Sequence, residues 1–283
     1  MNFWLMMPWL PVEEMLVLAP LAEQLGFEGV MGADHGFVPR SMVADYPYSD
    51  DGVPPIDGEL PYPEVWTTIA AMAAVTERIK FSTAVYVLPL RNPIEVAKAT
   101  GTIARISDNR LVLGAGVGWM KEEFDVYGVD FSTRGRRMNE TIEVLNKLWD
   151  GGYVEHHGEF FDFAELQIAP APTQRVPIFL GGASAPALRR AGKYAQGWIG
   201  NGNSAEEMPA IFSELQAARE ANGRADEDFE IILAPVGNPS MEQLQRYRES
   251  GATGMFLGFP DHRASLADKQ RMLERLAGYM AQF

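Results

Sequence analysis

An aspartate and a histidine stand side by side at positions 34 and 35, in VMGADHGF, directly after a short apolar run. Histidine is the side chain whose ordinary pKa lies near neutrality, so His35 is suited to giving or taking a proton during turnover. A loop-capping histidine would account for the same residue. Two glycine-rich segments could accompany it. In RLVLGAGVGWMKEEF, Gly114, Gly116 and Gly118 alternate at the end of an apolar run and lead into Trp119. Without Cβ atoms such a backbone admits the close approach of a flat ligand, although a tight turn would also use these glycines. The spacing is not the GxGxxG of a dinucleotide site. In FLGGASAPALRRAG, Gly181 and Gly182 precede Ser184, an N-cap candidate for a helix that carries Arg189 and Arg190. A phosphate there would meet backbone N–H groups at the positive end of a helix; a glycine-rich connection with no ligand is the alternative.

Other residues are ranked below these. Asn201, after a later strand, could donate to the same phosphate, and Arg134, Arg136 and Arg137 in STRGRR offer a positive patch or a solvated charge run. His156 and His157 are adjacent in a strand-like segment, so they point to opposite faces and read as a solvated hairpin rather than as paired metal ligands. His262 is the second-choice proton carrier, or part of a turn before the last helix. No histidine–carboxylate spacing matches a metal motif, and no metal is expected.

These residues need a scaffold that brings strand ends together. Eight short apolar runs, at residues 3–6, 29–32, 79–85, 110–113, 177–180, 197–200, 229–234 and 254–257, alternate with amphipathic stretches such as Met138, Ile142, Leu145 and Trp149. Stripes at Leu18, Leu21, Ala22 and Leu25, and at Leu273, Leu276, Ala277 and Met280, mark further helices. Eight βα units in 283 residues predict an α/β fold, a (β/α)8 TIM barrel forming a single domain over 1–283. Its active face lies at the C-terminal ends of the strands, where Asp34, His35 and both glycine segments fall. Insertions follow strand 2 (residues 37–63, a lid candidate) and precede strand 5 (residues 151–175, a hairpin around Gly158). Ala84, Val85 and Tyr86 are expected to face the barrel mouth.

Composition sets outer limits. With 24 basic and 38 acidic residues the net charge is −14, which disfavours nucleic acid and anionic membranes as partners and requires local positive groups for any anionic ligand. The chain contains no cysteine, so disulfides, thiolate metal sites and cysteine nucleophiles are excluded. A cytoplasmic location is expected. The apolar start MNFWLMMPWL lacks a basic flank and meets Pro8 and Pro11, so it reads as a first strand rather than a signal peptide, and no run is long enough to span a membrane.

Taken together, LAEQLGFEGVMGADH, WTTIAAMAAVTERIKFSTAVYVLPLRNP, the segment from RLVLGAGVGWMKEEF to VLNKLW, HGEFFDF and VPIFLGGASAPALRRAGKYAQGWIGN resemble the bacterial luciferase-like family of (β/α)8 oxidoreductases over nearly the whole chain. The wording around GVGWMKEEF is most similar to the branch that uses the deazaflavin coenzyme F420. The resemblance implies hydride transfer between coenzyme F420 and a small organic substrate. It makes His35 the proton carrier, with Asp34 beside the coenzyme. It places a non-prolyl cis peptide at Ala84 and Val85 behind the coenzyme ring and lays Gly116 and Gly118 along it. Gly181, Gly182, Ala183 and Asn201 become its phosphate site. Where the sugar-phosphate dehydrogenases of this branch carry a carboxylate, this chain has Trp119. With Trp9, Tyr86 and residues 46–48, that aromatic implies a weakly polar substrate pocket. An FMN-dependent monooxygenase using O2 and a non-catalytic coenzyme-binding barrel are the alternative readings, and family habit implies a homodimer.

Overall fold

The computed structural model describes residues 1–283 apart from 43–45, 48, 50, 55, 57, 236–239 and 283. Eight parallel wall positions carry the barrel: β1 (Asn2–Met6), β2 (Gly29–Gly32), β3 (Lys80–Thr83) continued by β4 (Tyr86–Val87), β5 (Leu113–Gly116), β8 (Ile178–Gly181), β9 (Gly197–Asn201), β10 (Glu230–Ala234) and β11 (Gly254–Gly258). Their order around the sheet is β3-β2-β1-β11-β10-β9-β8-β5-β4. The ring closes where Phe81 N donates to Arg110 O and Val112 N donates to Phe81 O, both at 2.8 Å. The eight-unit barrel expected from the sequence is therefore the fold. Between β5 and β8 the antiparallel hairpin of β6 (Val154–His157) and β7 (Asp162–Leu166) stands outside the wall.

Helices follow the strands: α1 (Val12–Gln24), α2 (Val65–Ala74), α3 (Pro93–Ile106), α4 (Lys121–Tyr127), α5 (Arg134–Trp149), α6 (Ala185–Tyr194), α7 (Met208–Glu220), α8 (Met241–Glu249) and α9 (Leu266–Met280). α5 shows why they pack. Met138, Ile142, Leu145 and Trp149 recur on one face and all are buried, each contributing about 1.5–3 kcal/mol by removal from water. Pro93 sits in the first turn of α3, whose N-cap Asn92 accepts from Ile94 N at 2.9 Å. The last helix departs from its expected stripe: Leu273 is buried, whereas Leu276 and Met280 line a cavity.

Inside the ring, Trp4, Met31, Val112, Phe179, Ile199, Ile232 and Phe256 fill the barrel, with Met6, Ala84, Val85 and Ala234 packed on them. This plug forms the floor of the site. The peptide between Ala84 and Val85 is cis and separates β3 from β4. The neighbouring strand is shaped to receive it. A Cβ at Gly114 would lie 1.7 Å from Thr83 O, and one at Gly116 would lie 2.4 Å from Val85 Cγ2. These glycines are strand residues, not the turn after a strand. The fourth wall strand accordingly runs three residues further than its apolar run, with Leu111 contributing only a bridge to Phe81. What approaches Gly114 is the protein's own backbone.

Candidate active site

A cavity of about 1300 Å³ opens at the C-terminal ends of the strands. That exceeds the usual 300–1,000 Å³ of a site for one drug-sized ligand, which leaves room for a coenzyme and a substrate together. Val85 rises from the floor between Gly116 and Gly181, whose missing Cβ atoms would fall 2.4 and 2.9 Å from its methyl groups. Trp9, Asp34, His35, Ala84, Val85, Gly116, Gly118, Trp119, Gly181, Gly182, Ala183 and Asn201 all line this one cavity. These twelve residues, assigned from the sequence to the coenzyme and substrate sites, are thus brought together.

Tyr86 is the exception. It is 5% exposed, packs on Trp66 at a ring separation of 4.8 Å, and has Arg91 over its ring at 5.3 Å. Within β4 successive residues face opposite sides, so Val87 reaches the cavity that Ala84 and Val85 also line, and Tyr86 does not. Tyr62 and Tyr46 supply the aromatic surface instead: the His35 ring lies 5.6 Å from Tyr62 and 5.7 Å from Trp119, and Tyr46 lies 5.1 Å from Trp119. Tyr48 falls outside the described residues.

The strand-end pair is held from behind by groups the sequence did not single out. Asp34 is buried, and its two oxygens accept from Arg91 (2.8 Å) and from Val87 N (3.0 Å). Burial pushes the Asp34 carboxyl above the ordinary range, against the opposing pull of Arg91 and the Val87 N–H. His35 Nδ1 lies 3.0 Å from Glu123 Oε2, and Glu123 Oε1 accepts from Gly36 N at 2.7 Å. The Glu123 side chain is 1% exposed and that of His35 12%. Nε2 of His35 makes no hydrogen bond among the described residues. Burial also pushes the Tyr62 hydroxyl well above its ordinary range, with Asp34 and Glu123 adding to the effect, so it stays protonated at neutral pH.

Ser184, also on the cavity, precedes α6, yet its side chain does not cap the helix; Pro186 has no N–H and Ala187 N donates to Ser184 O, so the Ala185 N–H is the first-turn donor left without an acceptor among the described residues. Arg134 lines the cavity too. Its guanidinium lies 3.8 Å over the Phe131 ring and donates to Phe131 O, while its Nε is buried with no hydrogen-bond partner among the described residues. The other arginines of that run turn away: Arg136 pairs with Glu159, and Arg137 donates to Pro89 O. Arg190 is engaged by Asn139, so the sequence's two positive patches reduce to one arginine at the cavity. His262 sits in a turn and lines the cavity, 5.6 Å from the Trp9 ring. His157 is exposed as expected, whereas His156 is 7% exposed and buried against α5. Among the described residues no group of three or more His, Cys, Asp or Glu side chains is placed to hold a metal, and no helix is long and apolar enough to cross a membrane.

The parallel α/β barrel thus carries, at the C-terminal ends of its strands, one large cavity with an apolar floor, a strand-end histidine and the start of α6 on its lining. The model of the luciferase-like monooxygenase family matches residues 7–282, and the chain belongs to that family of oxidoreductases. An uncharacterized protein of Mycobacterium tuberculosis is 35% identical over 242 residues, covering 86% of this chain and 83% of that one. The F420-dependent glucose-6-phosphate dehydrogenase of Microbacterium testaceum is 29% identical over 230 residues, covering 78% of this chain and 62% of that one. Among solved structures, the monooxygenase RslO1 from Streptomyces bottropensis superposes with a TM-score of 0.79 at 19% identity, over 100% of this chain and 99% of that one. The coenzyme F420-dependent tetrahydromethanopterin reductase from Methanopyrus kandleri superposes at 0.77 and 15% identity, over 98% and 97%. These two likenesses establish the fold.

Proposed function

We propose that the protein transfers a hydride between coenzyme F420 and a small, weakly polar organic substrate. The residues present fit such a coenzyme. Val85 and the glycines beside it offer a narrow apolar platform for a flat ring, and the uncapped start of α6 with the buried Nε of Arg134, which has no hydrogen-bond partner among the described residues, offers an anion site in a chain of net charge −14. When bound, a deazaflavin supplies a ring carbon that gives or takes hydride. The chain's residues do the rest. Val85, Gly116 and Gly118 orient the ring, and Gly182, Ala183, Ser184, Asn201 and Arg134 receive the phosphate. Tyr46, Tyr62 and Trp119 form a substrate wall that limits water, and His35 moves a proton at Nε2. The observation that carries the reading is His35 Nε2, without a hydrogen-bond partner among the described residues, on the same cavity as the Val85 platform. The similarity to an F420-dependent dehydrogenase supports the choice of coenzyme.

The competing reading, an FMN-dependent monooxygenase, has the RslO1 likeness in its favour. One titration separates them. Coenzyme F420 is expected to bind with a dissociation constant in the micromolar range, with FMN at least tenfold weaker. Tighter FMN binding together with O2 uptake dependent on reduced FMN would overturn the proposal.

A further inference from the structure

We infer that Glu123 is a positioning residue which fixes His35 in one tautomer, with the proton on Nδ1 and the Nε2 lone pair free at the cavity; this deepens the reading of His35 as the proton carrier. The geometry begins in α4. Glu123 and Tyr127 are one helical turn apart and therefore share a face, and that face meets the chain just after β2. Tyr127 Oη occupies the place a Cβ on Gly36 would take, at 2.2 Å, and its ring stacks with Phe37 at 6.4 Å. Glu123 reaches the same segment with both oxygens, Oε1 accepting from Gly36 N and Oε2 facing His35 Nδ1.

Donor and acceptor accounting then sets the proton. A carboxylate offers only acceptors, so the hydrogen of the 3.0 Å contact belongs to Nδ1. A neutral imidazole has one ring hydrogen, which leaves Nε2 as an acceptor. The Gly36 N–H makes the arrangement specific. It already takes one oxygen of Glu123, so an amide at position 123 that keeps its oxygen on Gly36 N–H turns its NH2, a donor, toward Nδ1. In Glu123→Gln the amide oxygen is expected to stay on Gly36 and the NH2 to donate to Nδ1, which moves the ring proton to Nε2.

The test uses the protein without coenzyme, labelled with 15N in its four histidine rings, observed by long-range 1H–15N correlation with the His35 signals assigned from His35→Ala. Neutral His35 is expected as the Nδ1–H tautomer in the wild type and as the Nε2–H tautomer in Glu123→Gln. A wild-type Nε2–H tautomer, or an unchanged tautomer in folded Glu123→Gln, overturns the inference. If that variant fails to fold, the wild-type tautomer alone decides, and Glu123→Asp, which keeps both oxygens, is expected to retain Nδ1–H. In coenzyme-loaded protein Glu123→Gln should lower kcat roughly 10- to 100-fold while the coenzyme dissociation constant changes less than about threefold, as for groups that orient a reacting side chain. Failure of coenzyme F420 to bind would remove the proposed function and leave the tautomer assignment standing.

Discussion

Two largely buried glutamate–histidine pairs stand among the described residues, built from the same chemistry and put to different ends. At the barrel mouth Glu123 holds His35 by Nδ1 and also accepts the Gly36 N–H. Beside the outer hairpin, Glu140 of α5 faces His156 Nε2 at 3.2 Å and accepts the N–H groups of Glu159, Phe160 and Phe161. His156 Nδ1 meets Lys147 Nζ at 3.3 Å; an ammonium only donates, so His156 carries its proton on Nε2, the opposite tautomer to the one inferred for His35. Both of its nitrogens are occupied, and it does not line the cavity. A paired, buried histidine is therefore no guide to function by itself. The free nitrogen and the cavity beside it make the difference.

Replacing each histidine with alanine should separate the pairs most widely. His35→Ala is expected to lower turnover by about 10²–10⁴-fold, the usual worth of a positioned proton carrier, with a much smaller change in coenzyme affinity. His156→Ala should leave turnover within twofold. Steady-state rates followed by coenzyme absorbance read both, and equal losses would abolish the distinction. The next effect belongs to the hairpin. Glu140→Ala strips acceptors from three backbone N–H groups and should cost about 1–3 kcal/mol locally, seen as faster hydrogen exchange at residues 159–161 while the amides of β5 keep their protection. Slowed turnover in that variant would show that the hairpin does reach the site.

How the two pairs stand in the sequence explains what could be read from it. Apolar runs located all eight wall strands, because a barrel strand buried on both sides needs little else, and strand-end position singled out His35. Glu123 escaped notice because it lies 88 residues from His35 and inside KEE, a charged run that reads as a solvated helix face. Arg91 escaped for the same reason, its partner Asp34 being 57 residues away. The apolar run alone does not say which residue of the Tyr86–Val87 strand turns inward, and it is Val87 that faces the mouth. Gly114 and Gly116 looked like a ligand-approach turn, since sequence cannot tell a ligand from the Thr83 carbonyl and Val85 side chain that approach them. Local patterns carried the wall; contacts across the barrel carried the site's support.

Acid sharpens the comparison further. Burial works against the Glu140 charge, but the N–H groups of Phe161 and Phe160 and the ring of His156 outweigh it, so its pKa is held below the ordinary 4.5. A carboxyl depressed in the folded state contributes stability that is fully present above its unfolded pKa and is lost as pH falls through the lower folded value. Hydrogen exchange at residues 159–161, corrected for the intrinsic pH dependence of exchange, should therefore lose protection below about pH 4.5, and Glu140→Gln should show no such acid-dependent loss. Identical acid profiles for wild type and Glu140→Gln would mean that the hairpin is held by something other than this carboxylate.

The smallest expected effect comes from Lys147, an exposed residue whose ammonium donates to Glu155 O and meets His156 Nδ1. Lys147→Met should change stability by no more than about 0.5 kcal/mol, the usual range for a surface substitution. Its consequence should instead be visible in the ring. Without the donor at Nδ1, the choice of tautomer at His156 rests on Glu140 alone, which still accepts from Nε2–H. The Nε2–H form should therefore persist with a minor Nδ1–H population, while the His35 signals do not move. A full switch at His156 would show that Lys147, not the carboxylate, sets the tautomer there, and would weaken the argument that a buried glutamate is sufficient to set it at His35.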